Sequence, residues 1–224
     1  MGVNHLAHFL LTLRLTPLLL RSAERSPLGA RIVNVASVMH VFADMRLSDL
    51  HSRRSYSATR AYGSSKCAQI MFTRGLRKYF RGAPLHVLAV HPGEVLTSIA
   101  RHVPLLHRLQ KFVMPLFLFT EEQGAHPVTY SPASGRVPGH QLAACHRSVG
   151  SRSGLLRAGA RASVHCATGK DVVHDAHGTE GYIGPDLRTH QPEPQAIDDA
   201  LSDELWRWSV RETALPAHLD LRAA

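Results

Sequence analysis

The sequence predicts an α/β fold, a parallel sheet flanked by helices. The runs RIVNVAS (31–37) and LHVLAV (85–90) have the short, continuous, β-branched apolar character of strands buried on both faces. Helical patterns precede and separate them, leucine-rich at 3–21 and amphipathic from Tyr62 to about Phe80. The order helix, strand, helix, strand implies parallel strands joined by right-handed crossovers.

Each element has a local cause. Leucines at 3–21 recur at helical spacing around most of the circumference, which describes a largely buried helix. SPLGA turns the chain into the first strand, which ends in small polar residues at Ser37. The turn RGAP separates the second helix from the second strand. In an open parallel sheet, ligands collect beyond the carboxyl ends of the strands. Ser37 and the segment HPGEVLTS (91–98) fall at those ends.

Composition bounds the function classes. A chain of 224 residues can bury one full core. Cys67, Cys145 and Cys166 form an odd set without metal-site spacing, so a reduced, intracellular compartment is expected. The histidines form no HExxH or Cys-x-x-Cys partner set, so no metal site is read. A formal charge of +9 raises nucleic-acid binding, but Arg136, Arg147, Arg152 and Arg157 of that excess lie in an acid-free stretch without an aromatic-interleaved basic run. No nucleic-acid partner is expected. HLAHFLLTLRLTPLLL and FVMPLFLF are interrupted or short for a membrane span. No secretory signal is read, because the opening lacks a basic start and a small-residue cleavage site. MGVNHL has Leu6 where a myristoylation start wants Ser or Thr. The expected location is cytoplasmic or loosely membrane-associated.

The stretch AYGSSK (61–66) sets a tyrosine and a lysine four positions apart on one helical face, about one turn apart. The Lys66 ammonium can then approach the Tyr62 hydroxyl and bring a phenol of ordinary pKa near 10 toward working range as an acid/base. An amphipathic tyrosine beside a solvated lysine satisfies the same spacing.

VNHLAHFLLT, RIVNVASVMH, AYGSSKCAQIMFTR and VLAVHPGEVLTSI, in this order and spacing, resemble the short-chain dehydrogenase/reductase family, and within it the retinol dehydrogenase-like group. The resemblance covers residues 2 to 125 and resumes over RASVHCATG and from GYIGPD to the LWRWSV tail. It implies a Rossmann-like sheet and hydride transfer between NADP or NAD and a hydrophobic alcohol or carbonyl. It implies that Tyr62 is the acid/base, that Lys66 lowers its pKa and holds the nicotinamide ribose, and that Ser37 holds the substrate oxygen. Asn4 would support a water-linked proton relay through Lys66, while Pro92, Gly93 and Thr97 would lie along the nicotinamide and its phosphates. Asn4 as a helix cap, Ser37 as a strand-end hydrogen-bonding group and Thr97 as an ordinary N-cap are alternative structural uses. The resemblance also implies a homo- or hetero-dimer through the helices carrying Asn4 and Tyr62.

Two departures qualify the resemblance. The family's strand, glycine-rich turn and helix for the pyrophosphate have no counterpart in these 224 residues, so a truncated sheet with impaired cofactor binding is expected, its uncovered strands leaving an apolar edge. A non-catalytic interaction module is the second function class. The other departure is 126–160, rich in Gly, Ser, Pro and Arg, after a capping box at Thr120 that Pro127 interrupts. It reads as a disordered insertion between a catalytic segment at 1–125 and the remaining core at 161–224, with a genuine binding loop as the alternative. Its removal is expected to leave stability unchanged or raised, measured by thermal unfolding.

Overall fold

The computed structural model describes residues 1–27, 29–91, 182–183 and 190–222. The Thr120 helix and the 126–160 segment lie outside the described residues. A π-helical turn at Gly2–Leu6 leads into α1 (Ala7–Glu24), followed by β1 (Ala30–Val35), α2 (Ala58–Tyr79) and β2 (Leu85–Val90). Further along are β3 (Tyr182–Ile183), the short α3 (Pro194–Ile197) and α4 (Asp199–Thr213).

The strands are parallel, as the alternating pattern predicts, and they are ordered β1-β2-β3. Register runs from Ala30 opposite Leu85 to Val35 opposite Val90. The ladder is extended at both ends by Ala30 N–H to the Pro84 carbonyl (2.9 Å) and Ala36 N–H to the Val90 carbonyl (2.7 Å). Just before β1, Gly29 has φ 66°, and a Cβ there would collide with the Pro84 carbonyl, so the turn requires glycine. β2 is buried along nearly its whole length, as expected for a central strand. β1 departs from expectation. Only Ile32 and Asn34 are buried, and Val35 is 44% exposed, because β1 is an edge of the described sheet.

α1 also departs from the largely buried helix expected. Phe9, Leu13, Thr16 and Ala23 face the core, whereas Leu11, Leu15 and Leu18 are 58%, 42% and 53% exposed. Leucine frequency reports apolar character on all sides, and only packing decides which side has a neighbour. Nor does Pro17 interrupt the helix. Its missing N–H costs one bond to the Leu13 carbonyl, and the helix continues to Glu24. With the π turn it makes one helix, Gly2–Glu24, of 23 residues and hydropathy 1.2, long and apolar enough by composition to cross a membrane.

On the inner side, aromatic packing ties α1, α2 and α4 together. Phe9 lies 5.0 Å from both Phe72 and Trp206, centroid to centroid, and the Trp206 indole N–H donates to Asp220 at 3.0 Å. Phe9→Ala should therefore cost about 3–5 kcal/mol in urea unfolding, because Phe72 and Trp206 are held on two other helices and cannot collapse into the hole. Cys67 is buried without a disulfide in a second cluster, with Met45, Ile70, Met71 and Leu205, and burial pushes its thiol up to about 12, so it behaves as a small apolar residue.

Candidate active site

The site is built where β1 and β2 end. Two residues beyond β1, Ser37 has extended backbone (φ −158°, ψ 153°) and caps a 3₁₀ helix at Val38–Phe42 by accepting the Met39 N–H at 3.2 Å. The strand-end use foreseen for its hydroxyl is thus real. The same side chain faces the Tyr62 hydroxyl closely enough to oppose the burial-driven rise of its pKa.

Tyr62 is held in front of Ser37 by the small residues that follow it. A Cβ on Gly63 would come within 2.6 Å of the Met39 carbonyl and 3.0 Å of the Phe42 carbonyl carbon, so glycine lets α2 pack directly on the backbone of the 3₁₀ helix. The Ser64 hydroxyl accepts the Asp44 N–H at 2.9 Å and donates to the Asp44 carbonyl at 3.0 Å. The Ser65 hydroxyl donates to the Tyr62 carbonyl at 2.7 Å and accepts from the Asn4 side chain at 3.1 Å. Gly63→Ala should displace the 3₁₀ helix from α2 and destabilise the chain by about 1–3 kcal/mol, the usual cost of overpacking. Urea unfolding measures the stability loss, and the nitrogen shifts of Ser37 and Met39 report the displacement.

Lys66 is placed differently from the expectation. Its Nζ donates to the Val35 carbonyl at 2.9 Å and lies 5.5 Å from the centre of the Tyr62 ring. Ala30 at the start of β1 and Ala36 just beyond its end both turn their N–H toward β2, so by strand alternation the Val35 carbonyl points to the opposite edge, where Lys66 meets it. Nor is the phenol pKa lowered. Burial raises it above its usual 10.0, with the Ser37 hydrogen bond opposing, and burial lowers the Lys66 ammonium. Lys66 donates to the strand end, and burial alone sets the direction of the Tyr62 shift.

Asn4 lies within the π turn and does not cap the helix. Its side chain reaches Ser65, and its carbonyl accepts from Gln69, which also contacts His8 Nδ1 at 2.8 Å. These bonds dock the first helix onto α2. Pro92, Gly93 and Thr97 lie outside the described residues. Sequence reasoning brought Ser37, Tyr62 and Lys66 together and passed over Gly63, Ser64, Ser65, Gln69 and His40. The signal available for three of them was the unbroken small-residue run Gly-Ser-Ser between the tyrosine and the lysine.

The sequence model of the short chain dehydrogenase family matches residues 1–105, which contain Asn4, Ser37, Tyr62 and Lys66. Residues 1–105 belong to that family. The short-chain dehydrogenase segment has named relatives. Mouse retinol dehydrogenase 12 is 44% identical over 124 residues, covering 55% of this chain and 37% of its own. Human retinol dehydrogenase 14 is 40% identical over 141 residues, covering 62% of this chain and 40% of its own. Mouse polyprenol dehydrogenase is 36% identical over 142 residues, covering 62% and 42%. The chain thus spans about two-fifths of the length of these relatives. A crystal structure of an uncharacterised protein from Mycobacterium paratuberculosis has the same fold, with TM-score 0.55 and 24% identity over 96% of this chain and 59% of its own.

Proposed function

We propose that Ser37, Tyr62 and Lys66 form the acid/base centre of a nicotinamide-dependent oxidoreductase that interconverts a hydrophobic alcohol and its carbonyl. The facing Ser37 and Tyr62 hydroxyls at the carboxyl end of parallel strands, with Lys66 over the tyrosine ring, carry this reading. The substrate oxygen would bridge the two hydroxyls, with Ser37 orienting it and Tyr62 exchanging its proton. Because burial keeps the Tyr62 proton in place at neutral pH, the centre favours protonating a carbonyl over deprotonating an alcohol. The oxidative direction should accelerate as pH rises toward and beyond 10, whereas reduction should not.

The residues present fit the nicotinamide-ribose end of NADP or NAD. An ammonium carries three N–H donors, more than the Val35 bond uses, and Lys66 lies beside the phenol where ribose hydroxyls could accept them. The cofactor would supply the hydride. For the phosphate end, Pro92, Gly93 and Thr97 are the candidates, but no glycine-rich turn accompanies them. The 224-residue chain alone should therefore bind NADPH weakly, and calorimetry giving micromolar affinity would contradict this.

An apolar substrate is supported by Val35, Val38, Val41 and Phe42, all exposed around Ser37. The relatives named for retinol and polyprenol, both long apolar alcohols, point the same way. Turnover of retinaldehyde with NADPH or NADH by a full-length form, compared with a short aliphatic aldehyde, tests the class. Preference for the short aldehyde would refute it.

A second reading is an interaction module, and the exposed Leu11, Leu15 and Leu18 favour it. α2 is covered by the chain's own elements from Gly63 to Leu76, Lys66 being half-buried, so the leucine face of α1 would carry the contact. Sedimentation at rising concentration tests it. Association lost in Leu15→Lys would support the module, and a concentration-independent monomer would exclude it.

A further inference from the structure

The peptide unit that follows Ser37 is gripped on both of its polar atoms. His40 Nδ1 lies 2.8 Å from the Ser37 carbonyl oxygen, and His91 Nδ1 accepts the Val38 N–H at 3.3 Å. The Ser37 carbonyl and the Val38 N–H belong to one planar peptide group, so two imidazoles fix that plane from opposite sides. One comes from the 3₁₀ helix after β1, and the other from the residue after β2. We propose that His40 and His91 are positioning residues that clamp the Ser37–Val38 peptide and thereby aim the Ser37 hydroxyl at Tyr62. The functional weight of the clamp rests on the oxidoreductase reading above.

The hydrogen bonds assign the tautomers. A carbonyl only accepts, so His40 carries its proton on Nδ1, and its Nε2 then accepts the Glu193 N–H at 3.3 Å. His91 must keep Nδ1 bare to accept from Val38. Both rings therefore work as neutral imidazoles with defined donors and acceptors. His40 is buried, edge-on to Tyr182 of β3 at 5.2 Å, which locks its ring plane. The other groups facing the clamp are His190, whose N–H donates to the Tyr182 carbonyl at 2.9 Å, and, from α2, Tyr62 and Lys66. Burial first, then the proximity of His40 and His190, lowers His91 to about 4. Proton uptake by His91 would place an N–H against the Val38 N–H and open the clamp.

Amide exchange on the 224-residue chain tests this without any turnover. Val38 should be protected at neutral pH. Its protection should fall on acidification in step with the titration of His91, near pH 4, while Val87 in β2 keeps its own as a control against unfolding. His91→Leu should speed Val38 exchange about tenfold, the loss of one hydrogen bond. His91→Asn, whose side-chain oxygen can stand where Nδ1 does but takes up no proton, should keep the protection and abolish the acid step. His40→Asn should likewise preserve the Ser37 carbonyl shift that His40→Leu moves. Val38 exchange unaffected by His91→Leu, or an acid step that survives in His91→Asn, would overturn the clamp. In a full-length form, kcat should fall in His91→Leu and recover in His91→Asn, and an unchanged kcat in His91→Leu would overturn the positioning role. If exchange behaves as stated but Tyr62→Phe retains turnover, the clamp stands and the oxidoreductase reading falls.

Discussion

Tyr62→Phe in a full-length form should reduce kcat by about 10²- to 10⁴-fold while leaving cofactor affinity nearly unchanged. In the proposed mechanism the hydroxyl exchanges a proton with the substrate oxygen, and removing it takes away little ground-state binding. The ring itself remains, so Lys66 keeps its place over the aromatic face and its bond to the Val35 carbonyl. Lys66→Met should behave differently, raising KM for the cofactor as well as lowering kcat, because it removes the proposed ribose donor. A Tyr62→Phe enzyme retaining a tenth of the wild-type kcat would exclude the acid/base role.

Acid should destabilise this chain from about pH 6.5 downward, and His5 is the main cause. The side chain is buried against Phe9 and Phe72, with Nε2 bonded to the Ser209 hydroxyl at 2.8 Å. That hydroxyl already donates to the Leu205 carbonyl, so it accepts from His5, and Nδ1 is left bare with no partner among the described residues. Burial, then the positive N-terminus and His8, lower His5 from the usual 6.5 to about 3. The unfolded chain therefore takes up the proton first. The stabilisation is present above 6.5 and is lost as pH falls from there toward 3. Between neutrality and about pH 4 the loss should be on the order of 3 kcal/mol, with His91 adding to it. His5→Leu, which leaves Ser209 bonded to Leu205, should flatten that dependence in urea unfolding. An unchanged acid slope in His5→Leu would show that another group controls it.

What the sequence made legible was the part governed by local pattern. LHVLAV is apolar on both faces because β2 is central, and its ends are those of the strand. β1 stops at Val35 rather than Ser37 because the chain leaves the ladder after the Ala36 N–H and begins a 3₁₀ turn. α2 starts at Ala58, four residues before Tyr62, since Ser57 is extended and the polar, exposed first turn has no apolar periodicity to reveal it. Burial of α1 was misjudged because leucines at Leu11, Leu15 and Leu18 read the same whether or not a neighbour covers them. At the site, the four-residue spacing placed Tyr62 and Lys66 on one face correctly. It could not foresee that a strand-end carbonyl would take the ammonium, or that two histidines far apart in sequence would meet on one peptide group.

The most direct test of the oxidoreductase centre follows the hydride itself. A full-length form is given retinaldehyde and either NADPH or NADH carrying deuterium at the nicotinamide carbon that releases hydride, and the product is analysed by mass spectrometry. The account predicts an alcohol with one deuterium on its carbinol carbon, formed with the wild type and lost in Tyr62→Phe. Alcohol without deuterium, or no alcohol with either cofactor from a folded wild-type protein, would contradict it.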